Sequence, residues 1–338
     1  NPRQRSETKN LRMKFLLYGA NGYTAQLMLP LAAQYGLTPV LAGRSAEKIA
    51  PLAEQYRLAY RVFDLSDPVA IDRGLEGCGA VLHCAGPFAY TARPMLEACL
   101  RNRVHYLDIT GEISVFELAH SLDAAARAQG ITLLPGSGFD VVPTDCLARH
   151  LHQLLPDASH LTLAFAPSGG GFSHGTALTM ADGAGEGGQV RRNGHITRVQ
   201  LGHRAETVNF GATQRFCMAI PWGDVATAFY TTGIPNIEVM KSVHPRTHRM
   251  LRWQWAYNWL LRTRWMRRLS QKRIDQRMGG PSAERRAASQ THLWGQVRNA
   301  AGNTREVRLT TPEGYTLTAH SALLLTARSS TGRACAAS

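Results

Sequence analysis

Residues 14–25 read KFLLYGANGYTA, and this stretch decides how the N-terminal half of the chain folds. Phe15–Tyr18 is an apolar run with the length of one buried strand. Gly19 then permits a sharp turn, and Gly22 has no side chain to keep a ligand from the backbone. Ala25 is small enough for a helix to pack close to the strand. The order strand, glycine turn, helix predicts a pyrophosphate site.

One continuous helix is expected after the turn, because Leu27, Leu31 and Tyr35 recur at helical spacing. Its free N–H groups and positive dipole end suit a pyrophosphate. The pattern is G-x-x-G-x-x-A rather than the full dinucleotide fingerprint, so a tight turn that binds nothing is the alternative. The predicted cofactor contacts of this turn are Gly19, Asn21, Gly22, Tyr23 and Thr24.

The second predicted strand indicates which dinucleotide binds. An NAD site has Asp or Glu at the end of this strand for the ribose hydroxyl groups, whereas here residues 38–42 lead into Gly43 and Arg44. Arg44 is placed to pair with the 2′-phosphate of NADP, and Ser45 and Lys48 are placed to assist. The alternative for Arg44 is a solvent-exposed residue at the start of a helix.

Six short apolar segments alternate with helical segments over the first 140 residues, which predicts a parallel sheet covered by helices on both faces. The predicted strands are residues 15–18, 38–42, 60–63, 80–83, 104–107 and 131–134. Six strands fit the order 3-2-1-4-5-6, with a ligand crevice where the order reverses. Asp64, which follows the third strand, is predicted to lie beside the adenine ring. Its alternative role is a helix N-cap.

The character of the sequence changes after Pro135. A loop leads into a predicted helix over residues 143–155, and the next region is rich in β-branched and aromatic residues, glycine and short turns. The predicted strands there are residues 161–165, 195–201, 207–210, 216–220, 291–297 and 306–309. The predicted fold class is α/β, a Rossmann-type doubly wound parallel sheet with an inserted mixed α+β second domain.

The chain is expected to divide into five parts. They are a disordered tail (1–12), a Rossmann NADP-binding domain (13–150), an α+β substrate or dimerisation domain (151–310), a helix returning to the Rossmann domain (311–327) and a second disordered tail (328–338).

The composition is that of a globular protein. The chain has 338 residues, of which 44% are hydrophobic. It contains no run of 18 apolar residues and no apolar signal region near its start, so we expect a cytoplasmic protein. Its six cysteines show no C-x-x-C spacing, which is typical of reduced thiols, and no metal site is expected.

Basic charge is concentrated in one part of the chain. Residues 241–286 hold 13 basic and 2 acidic residues, a difference of +11 out of a net charge of +14. Within them, residues 250–278 interleave tryptophan with arginine. One interpretation is a helix whose tryptophans pack on the core; the other is peripheral contact with anionic lipid at the inner face of the membrane. No nucleic-acid binding is expected, and a homodimer is the remaining candidate assembly.

Six short motifs lie at the predicted strand ends and turns. They are GANGYTA (19–25), LAGRS (41–45), FDLSDP (63–68), HCAGPF (83–88), HYLDITGE (105–112) and PGSGFDVVPTD (135–145). Together they resemble the saccharopine dehydrogenase-like NADP-binding family, in the branch of saccharopine dehydrogenase-like oxidoreductases and trans-acting enoyl reductases of lipid synthesis. Looser matches follow at FSHGT (172–176), GGPSAERR (279–286) and PEGYTLTA (312–319). The resemblance implies a Rossmann domain, an inserted α+β domain and a last helix that returns to the Rossmann domain, and it does not extend over residues 328–338.

Candidate catalytic groups gather near the ends of strands 4 to 6. The chain has no Y-x-x-x-K pair, so the short-chain dehydrogenase mechanism has no support. The loop after strand 4 is expected to border the nicotinamide ribose through Ala85, Gly86, Pro87 and Phe88. The polar residues expected to face the crevice, where each is placed to donate a proton after hydride transfer, are Tyr90, His105, Asp108, Glu112 and Asp140. The alternative for Asp108 and Glu112 is capping of turns, and for His105 a satisfied core position.

The predicted function is an NADP-dependent oxidoreductase that passes a hydride from NADPH to a small or acyl substrate between two domains. The resemblance implies an enoyl reductase of lipid synthesis as one form of it. A non-catalytic NADP-binding or lipid-associated protein is the first alternative, because no catalytic set stands out. A serine hydrolase is the second, since Gly171–Gly175 matches G-x-S-x-G around Ser173. A loop of glycines there replaces the sharp strand-to-helix turn that such a nucleophile needs.

Overall fold

The structure, a computed structural model, describes residues 13–169, 187–251 and 280–329. Some predictions fall elsewhere in the chain. Ser173, the motif at 172–176, the tail at 1–12, residues 330–338 of the second tail and most of residues 250–278 lie outside the described residues.

The N-terminal part forms a parallel sheet that has six strands among the described residues. They are β1 (Met13–Tyr18), β2 (Leu37–Gly43), β3 (Tyr60–Val62), β4 (Ala80–His83), β5 (His105–Asp108) and β6 (Leu133–Leu134). Their order is β3-β2-β1-β4-β5-β6, and every pair is parallel. The predicted Rossmann-type order is therefore confirmed. The order reverses between β1 and β4, so the crevice opens at the carboxyl ends of these two strands.

Helices cover both faces of this sheet. They are α1 (Tyr23–Met28), α2 (Ala46–Tyr56), α3 (Pro68–Leu75), α4 (Phe88–Asn102), α5 (Ile113–Ser121) and α6 (Asp123–Gln129). The strand β1 shows why two layers are needed. Leu16 and Tyr18 pack into one buried cluster, whereas Phe15 and Leu17 pack into another on the opposite face. A strand buried on both faces has to be apolar at successive positions, as this one is.

The prediction of a single helix after the glycine turn is wrong. The helix α1 ends at Met28, and a separate 3₁₀ turn spans Ala32–Tyr35. Pro30 explains the break, because proline has no N–H to donate and its ring clashes with the preceding helical turn.

The second domain is built on a mixed sheet. The elements that follow β6 up to the sheet's last strand are α7 (Val142–Leu154), β7 (Ala158–Pro167), β8 (Gly188–Arg192), β9 (His195–Val199), β10 (Ala205–Asn209), β11 (Gln214–Ile220), α8 (Asp224–Thr232), β12 (Asn236–Ser242), α9 (Pro245–Leu251), α10 (Ala283–Ala287), β13 (Gln290–Asn299) and β14 (Thr304–Pro312). The main order is β10-β11-β12-β7-β13-β14, while β8 pairs with β12 and β9. The β12–β7 pair is parallel and its neighbours are antiparallel, so the predicted mixed α+β character is confirmed. The strands β8 and β12 were not among the predicted ones.

The last described helix, α11 (Gly314–Ser329), lies against the Rossmann sheet. Ala319, Ala322 and Leu323 are buried in the cluster that contains Phe15 and Leu17. The helix begins at a local cap, since the Glu313 carboxylate accepts hydrogen bonds from the backbone N–H groups of residues 315 and 316 at 2.9 and 3.1 Å. The chain thus returns to its first domain after completing the second one.

A buried arginine fixes the second domain onto α5. Arg191 of β8 is 4% exposed, and its guanidinium donates to Val225 O at 2.8 Å and to Glu117 Oε1 at 3.3 Å. The same group lies 4.2 Å from the centre of the Phe229 ring. Tyr230 Oη donates to Glu117 Oε1 at 2.6 Å. Because a charge removed from water needs partners, this set of contacts holds the two domains at a defined separation.

Candidate functional site

The glycine turn connects β1 to α1 at the point where the sheet order reverses. Gly19 has φ +82°, and a Cβ on it would lie 2.9 Å from backbone atoms of Cys84 and Ala85. Only glycine suits that position, because L side chains rarely adopt this conformation. The N–H of Gly22 donates to Gly19 O at 2.9 Å, and no side chain caps α1. The first-turn N–H groups of α1 are thus left for solvent or a ligand.

The residue after the turn is held by a segment far along the chain. Tyr23 Oη donates to Pro281 O and accepts from Arg286 Nη1 at 2.6 Å. The Tyr23 ring meets the Tyr315 ring edge to face, with the ring centres 5.1 Å apart. A Cβ on Gly280 would lie 2.5 Å from the Tyr23 ring. The side chain of Tyr23 is therefore used in packing, which leaves its backbone N–H for the predicted cofactor contact. Arg286 was not among the predicted site residues, although it lies in the GGPSAERR motif.

The opposite end of the predicted nucleotide site lies at β2 and β3. Arg44, at the end of β2, is exposed, as is Lys48 in the first turn of α2, while Ser45 is the N-cap of that helix. Asp64 accepts from Ser66 N at 2.8 Å, and this hydrogen bonding, together with the Arg44 charge, lowers the pKa of Asp64. The N-cap of α3 is instead Asp67. Arg44 and Asp64 are close enough for their charges to interact, and their contacts with the cofactor stay predictions.

The loop after β4 is held by Glu112. Its Oε1 accepts from Phe88 N and its Oε2 from Ala89 N, each at 2.8 Å. The N-cap of α4 is Pro87, which has no side-chain acceptor, so Glu112 caps this helix from a distance. In the same loop, Thr91 Oγ1 donates to Ala85 O at 2.7 Å, and the peptide bond between residues 86 and 87 is cis. Glu112 therefore has a structural role, which competes with the catalytic one predicted for it.

Asp108 is fully buried at the end of β5. Its carboxyl group accepts from Tyr106 Oη at 2.6 Å, Thr110 N at 3.0 Å and Gly136 N at 2.8 Å. Burial raises the pKa of Asp108 to about 6, against the opposing effect of these hydrogen bonds. Its backbone oxygen also accepts from Ser137 N at 2.7 Å. Asp108 thus joins the loops that follow β5 and β6, as the turn-capping alternative predicts.

Two other predicted site residues, His105 and Tyr90, lie in different parts of the fold. The prediction that His105 faces the crevice is wrong, because His105 is the first residue of β5 and the crevice lies at the other end of that strand. Its Nδ1 accepts from Thr132 N at 3.0 Å, and burial lowers its pKa. Tyr90, in the first turn of α4, is 65% exposed and therefore accessible to a ligand.

Asp140 is the remaining predicted acid, and it lies where the two domains meet. A Cβ on Gly111 would be 3.0 Å from Asp140 Oδ2, so this carboxyl group touches the loop that follows β5. Burial raises the pKa of Asp140 to about 6, while the charge of Lys241 opposes that shift. Lys241 is near the end of β12 in the second domain, and burial lowers its pKa. The fold thus brings a carboxyl and an amine from different domains together.

Aromatic side chains surround this pair. The Lys241 ammonium lies 5.8 Å from the centre of the Phe165 ring. Phe165 meets the Phe139 ring edge to face at 6.0 Å and the Trp222 ring at 4.8 Å. No local pattern predicted Lys241, because a lysine near the end of a strand usually faces solvent. Its partner Asp140 lies in another domain.

Within residues 13–169, 187–251 and 280–329, no group of three His, Cys, Asp or Glu side chains is arranged to hold a metal ion. In the same ranges, no helix combines the length and apolarity required to cross a bilayer.

Known proteins match part of the chain. Residues 15–134 match the family model described as "Saccharopine dehydrogenase NADP binding domain". A "Saccharopine dehydrogenase-like oxidoreductase" from Rattus norvegicus is 26% identical over 210 residues, which cover 55% of this chain and 49% of that protein. A "Trans-acting enoyl reductase" from Mycobacterium leprae (strain TN) is 30% identical over 151 residues, 41% of this chain and 35% of that protein. The chain spans about half the length of the first of these relatives.

The fold extends the likeness to the whole chain. Saccharopine dehydrogenase (L-Glu forming) from Saccharomyces cerevisiae superposes with a TM-score of 0.64, covering 96% of this chain and 92% of that one, at 12% identity. At that identity the likeness concerns the fold alone. Together with the family match, it confirms the predicted resemblance and the fold class. The family match over residues 15–134 by itself supports NADP as the cofactor of the first domain.

Proposed function

We propose that this chain, whose residues 15–134 belong to the saccharopine dehydrogenase type of NADP-binding domain, is an NADP-dependent oxidoreductase. In this proposal a hydride passes from NADPH to a small or acyl substrate in the crevice between the Rossmann sheet and the second domain. An acyl substrate is proposed because of the likeness to a trans-acting enoyl reductase.

The observation that carries the proposal is the geometry of the turn between β1 and α1. Gly19 is in the left-handed region, the helix start has no side-chain cap, and the turn lies where the sheet order reverses. Backbone N–H groups in that position bind pyrophosphate in doubly wound folds. Arg44 lies exposed at the end of β2, where a cation pairs with a 2′-phosphate.

The protein's own groups have divided roles in this proposal. When bound, NADPH supplies the hydride. Glu112 holds the loop over residues 85–89, and Asp108 holds the loops after β5 and β6, so both shape the crevice wall. Asp140 is left as the predicted acid that faces the second domain, and Tyr90 is exposed at the rim. Proton supply is therefore assigned to the side of the crevice that holds Asp140.

One observation favours a non-catalytic NADP-binding protein as the second candidate. Two of the five predicted proton donors, Asp108 and Glu112, accept hydrogen bonds from backbone N–H groups and have a structural role. A protein that binds NADPH to sense it needs the same turn and the same Arg44, but no proton donor.

Cofactor binding is tested by fluorescence titration with NADPH and NADH. We expect tighter binding of NADPH, and we expect Arg44→Ala to weaken NADPH binding about 10- to 100-fold. A charge-assisted hydrogen bond contributes about 1.5–3 kcal/mol, and NADH lacks the phosphate that forms it. Arg73→Ala, an exposed arginine in the last turn of α3, is the control. Equal affinity of the native protein for both nucleotides would contradict the cofactor assignment.

Turnover separates the two candidates. NADPH carrying deuterium at C4 is incubated with the protein and a panel of probes: a trans-2-octenoyl thioester, 3-phenylpropenal and a simple ketone. Mass spectrometry then follows deuterium in the reduced product. Transfer to any probe supports an oxidoreductase, whereas tight NADPH binding with no transfer to any of them favours the non-catalytic candidate.

A further inference from the structure

Lys241 and Asp140 lie where the second domain meets the Rossmann domain. In the parallel pair β12–β7, Lys241 is opposite Phe165, and its ammonium lies 5.8 Å from the centre of that ring. Phe165 contacts Phe139, the residue before Asp140, and Asp140 Oδ2 lies against Gly111 in the loop after β5. This unbroken series of contacts leads from β12 to the carboxyl edge of the Rossmann sheet, where a nicotinamide ring lies in doubly wound folds.

Three acidic residues that act on one another lie at or just before the starts of α7 and α8. Asp140 precedes α7, Asp145 is in the first turn of α7, and Asp224 is the first residue of α8. Asp224 is fully buried. Burial, with Asp145 and Asp140 adding to it, raises the pKa of Asp224 well above its usual range. Asp145 accepts from Thr231 Oγ1 at 2.7 Å. Of the three, Asp140 is the carboxyl whose charge acts on Lys241.

We infer that Lys241 is a catalytic residue that binds the carbonyl oxygen of the substrate and donates the proton, with Asp140 as the group that positions it and returns its proton. This inference rests on the proposed function. The substrate class is a carbonyl compound, either a simple carbonyl or an α,β-unsaturated acyl compound, whose apolar part lies on Phe139, Phe165 and Trp222. A half-buried ammonium beside aromatic rings suits this task, because it holds a developing oxyanion and gives up its proton more readily than a solvated lysine.

The reaction balances with groups already named. The C4–H bond of NADPH breaks, and its hydrogen and both bonding electrons form a C–H bond at the electrophilic carbon of the substrate. NADPH is oxidised to NADP⁺, and the substrate is reduced. One N–H bond of the Lys241 ammonium breaks as its proton passes to the substrate oxygen, or to the α-carbon of the enolate. The neutral amine then regains a proton from solvent by way of Asp140.

Three variants and one control test the assignment with deuterated NADPH and the three probes named above. Lys241→Met removes the ammonium, and Lys241→Arg keeps a charge that does not release its proton at working pH. Asp140→Asn keeps the shape and removes the charge. Lys14→Met is the matched control, since Lys14 is an exposed lysine in β1 of the first domain.

We expect both Lys241 variants to lower kcat at least 100-fold, while NADPH affinity changes less than about threefold, since general acid catalysis contributes about 10²–10⁴-fold. Asp140→Asn should move the alkaline limb of the kcat profile to lower pH, because the carboxylate raises the pKa of the lysine that it faces. Lys14→Met should behave as the native protein does. Recovery of turnover in Lys241→Arg would assign Lys241 a purely electrostatic role and overturn the proton donation.

Two failures are distinguishable. If the native protein transfers deuterium and Lys241→Met is as active as Lys14→Met, the assignment of Lys241 is wrong and the oxidoreductase stands. If the native protein binds NADPH but transfers deuterium to none of the probes, the oxidoreductase is contradicted and the role of Lys241 with it. The octenoyl thioester reports C=C reduction and the ketone reports C=O reduction. 3-Phenylpropenal has both bonds, so its product shows which of them is reduced.

Discussion

Glu112→Gln tests whether Glu112 is a helix cap or a catalytic group. In the native chain both carboxylate oxygens accept backbone N–H groups at the start of α4, from residues 88 and 89, each at 2.8 Å. Gln keeps one acceptor oxygen and turns an NH₂ group toward the other N–H. The variant therefore loses one charge-assisted hydrogen bond, which contributes about 1.5–3 kcal/mol, and the negative charge at the helix start, which contributes about 0.3–1 kcal/mol. We expect the free energy of unfolding to fall by about 2–4 kcal/mol.

Urea unfolding followed by circular dichroism measures this change. Glu97→Gln is the control, because Glu97 lies in the same helix and forms an exposed ion pair with Arg93 at 3.6 Å. Such pairs contribute about 0–1 kcal/mol, so the control should unfold almost as the native protein does. If Glu112→Gln unfolds together with Glu97→Gln, the capping role is refuted. Loss of deuterium transfer at native stability would then restore Glu112 as a catalytic candidate.

Three further outcomes are expected. Gly22→Val should abolish NADPH binding without unfolding the chain, because the added β-branched side chain would occupy the predicted pyrophosphate position. Its Cβ would lie 3.1 Å from Gly19 O. Titration with NADPH measures the binding, and circular dichroism of the same sample measures the fold. Between pH 3 and pH 7 the native protein should lose about 3 kcal/mol of unfolding free energy relative to Asp108→Asn. The reason is that burial raises the pKa of Asp108 from 3.8 to about 6, so the protonated form, which stabilises the fold, is lost as the pH rises through that window. Urea unfolding of both proteins at pH 3 and pH 7 measures this, and an equal change in the two proteins would contradict it. Residues 250–278 should bind anionic vesicles weakly at low salt and neutral vesicles not at all; protein that stays in the supernatant with anionic vesicles would exclude the lipid surface.

Local sequence was sufficient to predict the first sheet. Apolar runs such as Phe15–Tyr18 and the glycine after them are properties of neighbouring residues, and repeated alternation of strand and helix leaves few possible topologies. The order β3-β2-β1-β4-β5-β6 followed from this alternation. Even the end of α1 has a local cause, because Pro30 follows Met28 by two residues and cannot continue the helix.

The roles of the acidic residues could not be predicted in the same way. Asp108, Glu112 and Asp140 all follow or precede predicted strand ends, and nothing in their neighbours distinguishes them. Glu112 is used by N–H groups 23 and 24 residues away, and Asp108 by an N–H group 28 residues away. Whether a carboxyl caps a helix, joins two loops or faces a ligand depends on which distant donors the fold brings within hydrogen-bond distance.

The same limit of prediction from local sequence explains why Lys241 and Arg286 were not predicted as site residues. The hydrophobic pattern and the turn residues depend on a few neighbouring positions, so the sequence by itself predicts the strand order and the position of the glycine turn. Burial and charge at a site come from segments that are distant in sequence: Lys241 lies near Asp140 through the β12–β7 pairing, and Arg286 reaches Tyr23 across 263 residues. Electrostatic effects depend on distance in space and on removal of water, and folding alone creates both.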